Sequence, residues 1–278
     1  MKLIVQGAFL STSETASFAQ MAKAFSAEQT GAKVWKFHDV EDADREGIAA
    51  LAEILQADIA FLPDSAQLSD YKLIAMDMDG TFIQIECIDE MADLYGVKDQ
   101  VAAITHASMK GELDFDESLN RRVALLAGLD ETALQKVYDE RLRLSPGAEA
   151  MLETLQNAGI RTLLVSGGFT FFTEKLKARH KLDYTRSNLL EIKDGKLTGK
   201  IIGGIVNADE KAKTLAHCCE KWGIAPKETI AIGDGANDLK MLHGAGLSIA
   251  YHAKPTVRQQ AQIALDYAGL DGVVNLFR

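Results

Sequence analysis

Cysteine is scarce in this chain of 278 residues. Cys87, Cys218 and Cys219 are too few and too unevenly spaced for a disulfide framework, and sequence neighbours seldom bridge each other without strain. A reducing, cytoplasmic setting is therefore expected. Cysteine-type phosphatase chemistry needs an arginine six residues past the nucleophile, where this chain carries Asp93, Ile224 and Ala225. Long apolar runs are also missing: nothing approaches the roughly 18 residues that span a bilayer, and Leu3 to Leu10 is broken by Gln6 and Gly7. No membrane partner is expected. Positive charge is in deficit, with 30 Lys and Arg against 40 Asp and Glu. The resulting formal charge of -10 opposes binding to nucleic acid or anionic lipid. There is no GxxxxGK[ST] loop for P-loop nucleotide binding. His106, His180, His217, His243 and His252 show no metal-ligand spacing, which leaves them surface or packing roles.

The remaining composition, 47% hydrophobic and 25% charged, is that of a globular protein, and the length suits two domains or one with an insert. Residues 1 to about 70 read as a small α/β module: strand Lys2–Leu10, helix Ser13–Ser26, strand Ala32–His38, helix Asp42–Gln56 and strand Asp58–Leu62. It carries no chemistry-bearing cluster, and a ligand-sensing or dimerising role, with a homodimer, stays open for it. From residue 71 to 278 short apolar runs alternate with helical periods, which predicts a doubly wound parallel sheet. Its strands are expected at Lys72–Asp77, Arg161–Val165, Thr229–Gly233 and Leu247–Ala250. An insert at about 87–144 reads as a helical cap, Ser145-Pro146 as the start of the next helix, and Leu189–Ile202 as a hairpin turning at Asp194-Gly195.

Ligands of open α/β sheets bind beyond the carboxyl ends of the strands. Three polar, glycine-flanked segments fall there: Asp77-Met78-Asp79-Gly80-Thr81, Ser166-Gly167-Gly168, and Gly233-Asp234-Gly235-Ala236-Asn237-Asp238. Asp77 and Asp79, two apart, project to one side of an extended backbone. Converging with Asp234 and Asp238, they would repel one another and any phosphate unless a cation sat among them, and hard oxygen ligands point to Mg²⁺. Taken singly, each aspartate is equally a turn or cap former. Lys211 lies in the first turn of a helix that Asp209 is expected to cap, against the helix dipole. It faces either carboxylates or solvent. Arg122 falls at helical spacing with Leu119, Val123 and Leu126, beside the apolar stripe, and wants an anion: a ligand carboxylate, or Glu117 or Asp114 of its own helix.

DMDGT, Ser166, Lys211 and GDGAND, in this order, resemble the signatures of the haloacid-dehalogenase superfamily over residues 72–278. DMDGTFIQIECIDEMA, MKGELDFDESLNRRVALLAGL, LVSGGF, DGKLTG and AIGDGANDLKM resemble its phosphoserine phosphatase family in particular. The resemblance implies a HAD-like core under a helical cap, with an ACT-like N-terminal module, and Mg²⁺-dependent hydrolysis of phosphoserine in serine biosynthesis. It makes Asp77 the nucleophile, Asp79 the acid and base, and Asp77, Asp234 and the Asp79 carbonyl the metal ligands. Lys211 and Ser166 hold phosphoryl oxygens, with Asn237 and Asp238 orienting Lys211 and the metal shell and Gly167 adding a backbone donor. Glu86 receives the ammonium group, unless it is simply a helix cap, and Arg122 the carboxylate, while Met109 and Phe115 close over the ligand. Position 80 is Gly where this family commonly has Ser. Rival readings are phosphotransfer to another hydroxyl amino acid such as homoserine, and an amino-acid-binding regulator without turnover.

Overall fold

The computed structural model describes residues 1–278. The first strand, β1 (Lys2–Gln6), is buried at every position, because both of its faces are covered. Leu3 and Val5 pack with Phe18, Phe37 and Ile48 under helices α1 (Thr12–Ala22) and α2 (Arg45–Leu55). Ile4, with Val34, Ala60 and Leu62, joins the main core of the molecule instead. Strands β2 (Ser26–Gly31), β3 (Val34–His38) and β4 (Asp58–Leu62) complete an antiparallel sheet of order β2-β3-β1-β4. The chain order is that of a split βαβ unit. Ser11 and Glu14 form a capping box on α1, and Asp44 caps α2.

Two of the sequence expectations fail in this region. The first strand stops at Gln6, because Gly7 turns to φ +94° with Tyr267 packed against it. Lys23, at φ 47°, ends the first helix early, and Ser26–Gly31 forms an edge strand. Its exposed, polar SAEQTG sequence has no apolar alternation from which a strand could be read.

The second sheet comprises β5 (Leu73–Met76), β6 (Arg161–Phe169), β7 (Tyr184–Lys193), β8 (Lys196–Ile202), β9 (Thr229–Gly233), β10 (Leu247–Tyr251) and β11 (Ile263–Leu265). Its order is β11-β10-β9-β5-β6-β7-β8, parallel except for the β7–β8 hairpin. Ile74 and Met76 of β5 face the larger core, and Leu73 and Ala75 face Leu215, Cys218 and Met241. Two covered faces explain the unbroken apolar run.

The insert forms α3 (Cys87–Tyr95), α4 (Lys98–Met109), α5 (Phe115–Ala124) and α6 (Thr132–Lys136), which continues as a π-helical turn over Val137–Arg141. Next come α7 (Ala148–Asn157), α8 (Thr170–His180), α9 (Ala208–Trp222), α10 (Leu239–Gly244), α11 (Pro255–Gln260) and α12 (Gly272–Asn275). Ser145-Pro146 does not start α7. Gly147 occupies the N-cap at φ 75°, because the Pro146 carbonyl accepts from Leu270 N–H at 2.7 Å and the chain must first turn past Asp271. Nor does Asp209 cap α9. Asn207 does so, its Oδ1 accepting from the N–H groups of Asp209 (3.1 Å) and Glu210 (3.2 Å). The hairpin turns at Asp194-Gly195 with φ 52° and 74°, the two left-handed residues that a tight hairpin needs. It braces the insert, since Gly128 N–H donates to Leu197 O at 2.8 Å and Leu197 N–H to Leu129 O at 2.9 Å. No helix is long and apolar enough to cross a membrane.

Candidate active site

The strand order reverses direction at β5, with β9 on one side and β6 on the other, which places a crevice at their carboxyl ends. Asp77 follows β5 directly and still bonds through its N–H to Ile232 O of β9 at 3.0 Å. Its carboxylate is 5% exposed and Oδ1 accepts from Met78 N–H at 2.7 Å. The next turn requires Gly80, which sits at φ 72° with Asp234 Oδ2 3.0 Å from where a Cβ would be. Thr81 Oγ1 donates to Asp234 Oδ1 at 3.1 Å. Residues from two distant stretches of chain are thereby locked face to face.

Lys211 reaches this floor from α9 and is fully buried, with Nζ 2.7 Å from Asp77 Oδ1 and 2.6 Å from Asp238 Oδ1. Of the two alternatives for this lysine, facing solvent is eliminated. Burial alone would lower its pKa, but Asp238 and Asp77 more than offset this and hold the ammonium charged. Asp238 is fully engaged, because Oδ2 also accepts from the N–H groups of Asp234 (3.2 Å) and Gly235 (2.9 Å). Oxygens of Asp77, Asp234 and Asp238 lie within 4.8 Å of one another. Asp77 Oδ2 and Asp234 Oδ2 have no protein hydrogen-bond partner. Two free, half-buried or buried carboxylate oxygens beside a neutralised third carboxylate fit a hard divalent cation.

The Asp79 side chain points away from that trio. Oδ1 accepts from Cys87 N–H at the start of α3 (2.8 Å) and Oδ2 from Ser166 Oγ (3.1 Å). Ser166 is held in turn by Gly168 N–H, which donates to its Oγ at 2.7 Å. The β6–β7 register shifts between Val165 and Phe169, and this irregularity re-aims Ser166 and Gly167 into the crevice. Burial raises the pKa of Asp77 well above the ordinary carboxylate range, with Asp238 adding to it and Lys211 opposing. Burial also raises Asp79, against the donors from Cys87 and Ser166. Asp234 rises to about 6, through burial first and Asp238 second.

The cap supplies the upper wall of a pocket of about 80 Å³, to which it contributes Glu86, Phe115 and Arg122. Glu86 occupies the N-cap position of α3 but makes no side-chain cap. Burial, then Asp79 and Asp234, push it up to about 8. Arg122 lacks a carboxylate partner: its Nε reaches only Ser118 O at 3.4 Å, Glu117 pairs with Arg121, and Asp114 caps Glu117 N–H at 2.7 Å. Both intrahelical partners are thus taken elsewhere. Asn237 lines the same pocket, as do Gly167 and Ser166. Met109 lies farther out, 65% exposed, on an adjoining vestibule of about 480 Å³.

A model of haloacid dehalogenase-like hydrolases matches residues 71–246. Among curated relatives, the phosphoserine phosphatase of Polaromonas sp. (strain JS666) is 52% identical over 217 residues, covering 76% of this chain and 92% of its own. The chain belongs to the phosphoserine phosphatase family. The Haemophilus influenzae phosphoserine phosphatase is 51% identical over 222 residues, 80% of this chain and 70% of its own. In three dimensions, a probable phosphoserine phosphatase from Vibrio cholerae, unliganded, superposes with a TM-score of 0.86 at 38% identity, covering 99% of this chain and 86% of that one. A substrate-bound phosphoserine phosphatase gives 0.71 at 38% identity, over 75% of this chain and 99% of its own.

One cation of this phosphoserine phosphatase pocket was not singled out from the sequence. Lys254 lines both the inner pocket and the vestibule. The strand-end rule would have reached it, since it closes the loop after β10; the loop's Tyr251-His252-Ala253-Lys254 sequence carries no paired acids or glycines to draw notice.

Proposed function

We propose that the chain hydrolyses O-phospho-L-serine to L-serine and phosphate, through a phosphoryl group carried on Asp77, as the last step of serine biosynthesis in the cytoplasm. The observation that carries this reading is the pairing, in one pocket, of a carboxylate floor with an Arg122 that has no carboxylate partner and a Glu86 carboxyl. An anion-seeking guanidinium and a cation-seeking carboxyl match the two ends of an α-amino acid.

In the first step the Asp77 carboxylate attacks phosphorus and the bond to the seryl oxygen breaks, while Asp79, whose protonated form burial favours, gives its proton to that oxygen. In the second step Asp79 takes a proton from water, whose oxygen attacks phosphorus and frees the Asp77 carboxylate. Lys211, anchored on Asp77 and Asp238, places fixed positive charge where the transferring oxygens pass. Ser166 Oγ and the Gly167 backbone hold those oxygens, and Asn237 borders them. Asp77, Asp234 and the Asp79 carbonyl would hold Mg²⁺. Bound there, the ion would supply positive charge against the phosphoryl oxygens. Phe115 and Met109 of the cap would close over the bound ester and exclude water from it.

The test is phosphate release from O-phospho-L-serine and a panel of other phosphomonoesters, with and without EDTA. Phosphoserine should be preferred and EDTA should abolish turnover. Asp77→Asn should lower kcat by about a thousandfold or more while leaving the circular dichroism spectrum and Tm near those of the parent. Wild-type turnover in that variant would refute the covalent route.

A further inference from the structure

The free pocket is acidic. Asp77, Asp79, Glu86 and Asp234 line it against Arg122 and Lys254, in a chain of net charge -10. Lys211 is consumed by Asp77 and Asp238, and Arg122 is half-buried on the cap. Lys254 is different: it is exposed, and its ammonium forms no ion pair or hydrogen bond. Its backbone is fixed, because its N–H donates to Asp234 O at 3.1 Å and Pro255 follows at the first position of α11. A main chain held in place therefore carries an exposed, unpaired cation beside the pocket. That cation is close enough to favour the ionised forms of both Glu86 and Asp234, and with Glu86, Phe115, Arg122 and Asn237 it lines both the inner pocket and the vestibule.

We infer that Lys254 recruits the substrate, taking the phosphoryl oxygens of the incoming monoester at the pocket mouth and offsetting the repulsion of the acidic lining. The role rests on the phosphomonoesterase reading above and deepens it. A rim charge acts mainly on encounter and on its salt dependence, whereas Arg122 discriminates by the carboxylate. The two cations are therefore separable.

Lys254→Gln and Lys254→Arg should be compared with the wild type on O-phospho-L-serine and on O-phosphoethanolamine, which lacks the carboxylate, from low to about 0.3 M salt. Calorimetric titration with inorganic phosphate in the presence of Mg²⁺ gives a readout that needs no turnover. For the glutamine variant we expect KM to rise about three- to tenfold on both esters alike, with the phosphate Kd rising similarly. Its kcat should stay within about twofold and its salt slope should flatten. Arginine should restore all of these. Unchanged KM, phosphate Kd and salt slope would overturn the role, and so would a loss confined to the carboxylate-bearing ester, or a fall in kcat that arginine leaves in place. A wild type inert toward phosphoserine would overturn the proposed function instead, while its phosphate Kd would still judge Lys254.

Discussion

Arg122 and Glu86 form a complementary pair whose contributions can be read apart. Removing a half-buried guanidinium that has no carboxylate partner in the protein should remove a charge-assisted clamp worth about 2–3 kcal/mol. Arg122→Ala should therefore lower kcat/KM for phosphoserine roughly a hundredfold, and far less for phosphoethanolamine; equal losses on both would remove the clamp from consideration. Glu86 makes a pH prediction. Its folded pKa of about 8 keeps it neutral below that pH, and pairing with an ammonium group needs the carboxylate, so binding releases a proton. KM should fall as pH rises toward 8, by up to about tenfold per unit. A bound divalent ion moves the inflection to lower pH without changing the sign. In Glu86→Gln the slope should vanish, and a persisting slope would assign it to another group. At this scale Asp77, Asp79 and Asp234 were legible as lining one crevice because each falls just past a strand end, beside glycines. Lys254 was not, because a lone exposed lysine is the commonest surface residue and only its neighbours mark it.

Among elements, the contact between the insert and the sheet bears on the proposed closure of the pocket. Phe115, the first residue of α5, lies so near Gly167 that a Cβ there would stand 2.8 Å from the ring Cζ. Gly167→Ala should displace the ring and hold the cap slightly open, raising KM about tenfold while Tm moves little, since the clash is with the end of a movable side chain. Kinetics and calorimetry together check this, and an unaltered KM would mean that the contact does not govern closure. The four central strands of the second sheet, and the hairpin with its Asp194-Gly195 turn, were foreseeable because apolar runs and left-handed turns leave local signals. The edge strand β2, the short β11 and the true caps at Asn207 and Gly147 were not. Gly147 is set by Asp271, far along the chain, whereas β2 and β11 are too polar or too short to leave an apolar alternation.

Across the whole molecule, the N-terminal sheet is joined to the rest by a buried carboxylate. Asp58 of β4, 4% exposed, accepts from the N–H groups of Asp266 (2.7 Å), Tyr267 (3.2 Å) and Ala268 (2.8 Å). Nearby, Gln6 Nε2 donates to Gly272 O at 3.0 Å and Lys2 Nζ to Ala66 O at 2.6 Å. Burial nevertheless raises the Asp58 pKa despite its three backbone donors. Asp58→Ala would leave those three donors unsatisfied, so the unfolding free energy should drop by about 3 kcal/mol. Phosphoserine kcat should change little, because no Asp58 contact reaches the pocket. Chemical denaturation with parallel assays tests both halves, and an unmoved midpoint would show that the apolar contacts of Ile4, Val34, Ala60 and Leu62 suffice.

The amino-acid order by itself determined the reaction chemistry available to this chain and the class of its sheet, because hydrophobic period and strand-end motifs are local properties that survive without coordinates. Tertiary structure alone decided which acids converge, with Asp77, Asp234 and Asp238 offering oxygens within 4.8 Å of one another, and that Asp79 bonds instead to Cys87 and Ser166. It also decided that Arg122 keeps no carboxylate partner while Arg121 takes Glu117, and that a small sheet at the start of the chain is sealed to segments near its end. Those outcomes depend on distance and desolvation between residues far apart in sequence, and both arise only once the chain has packed.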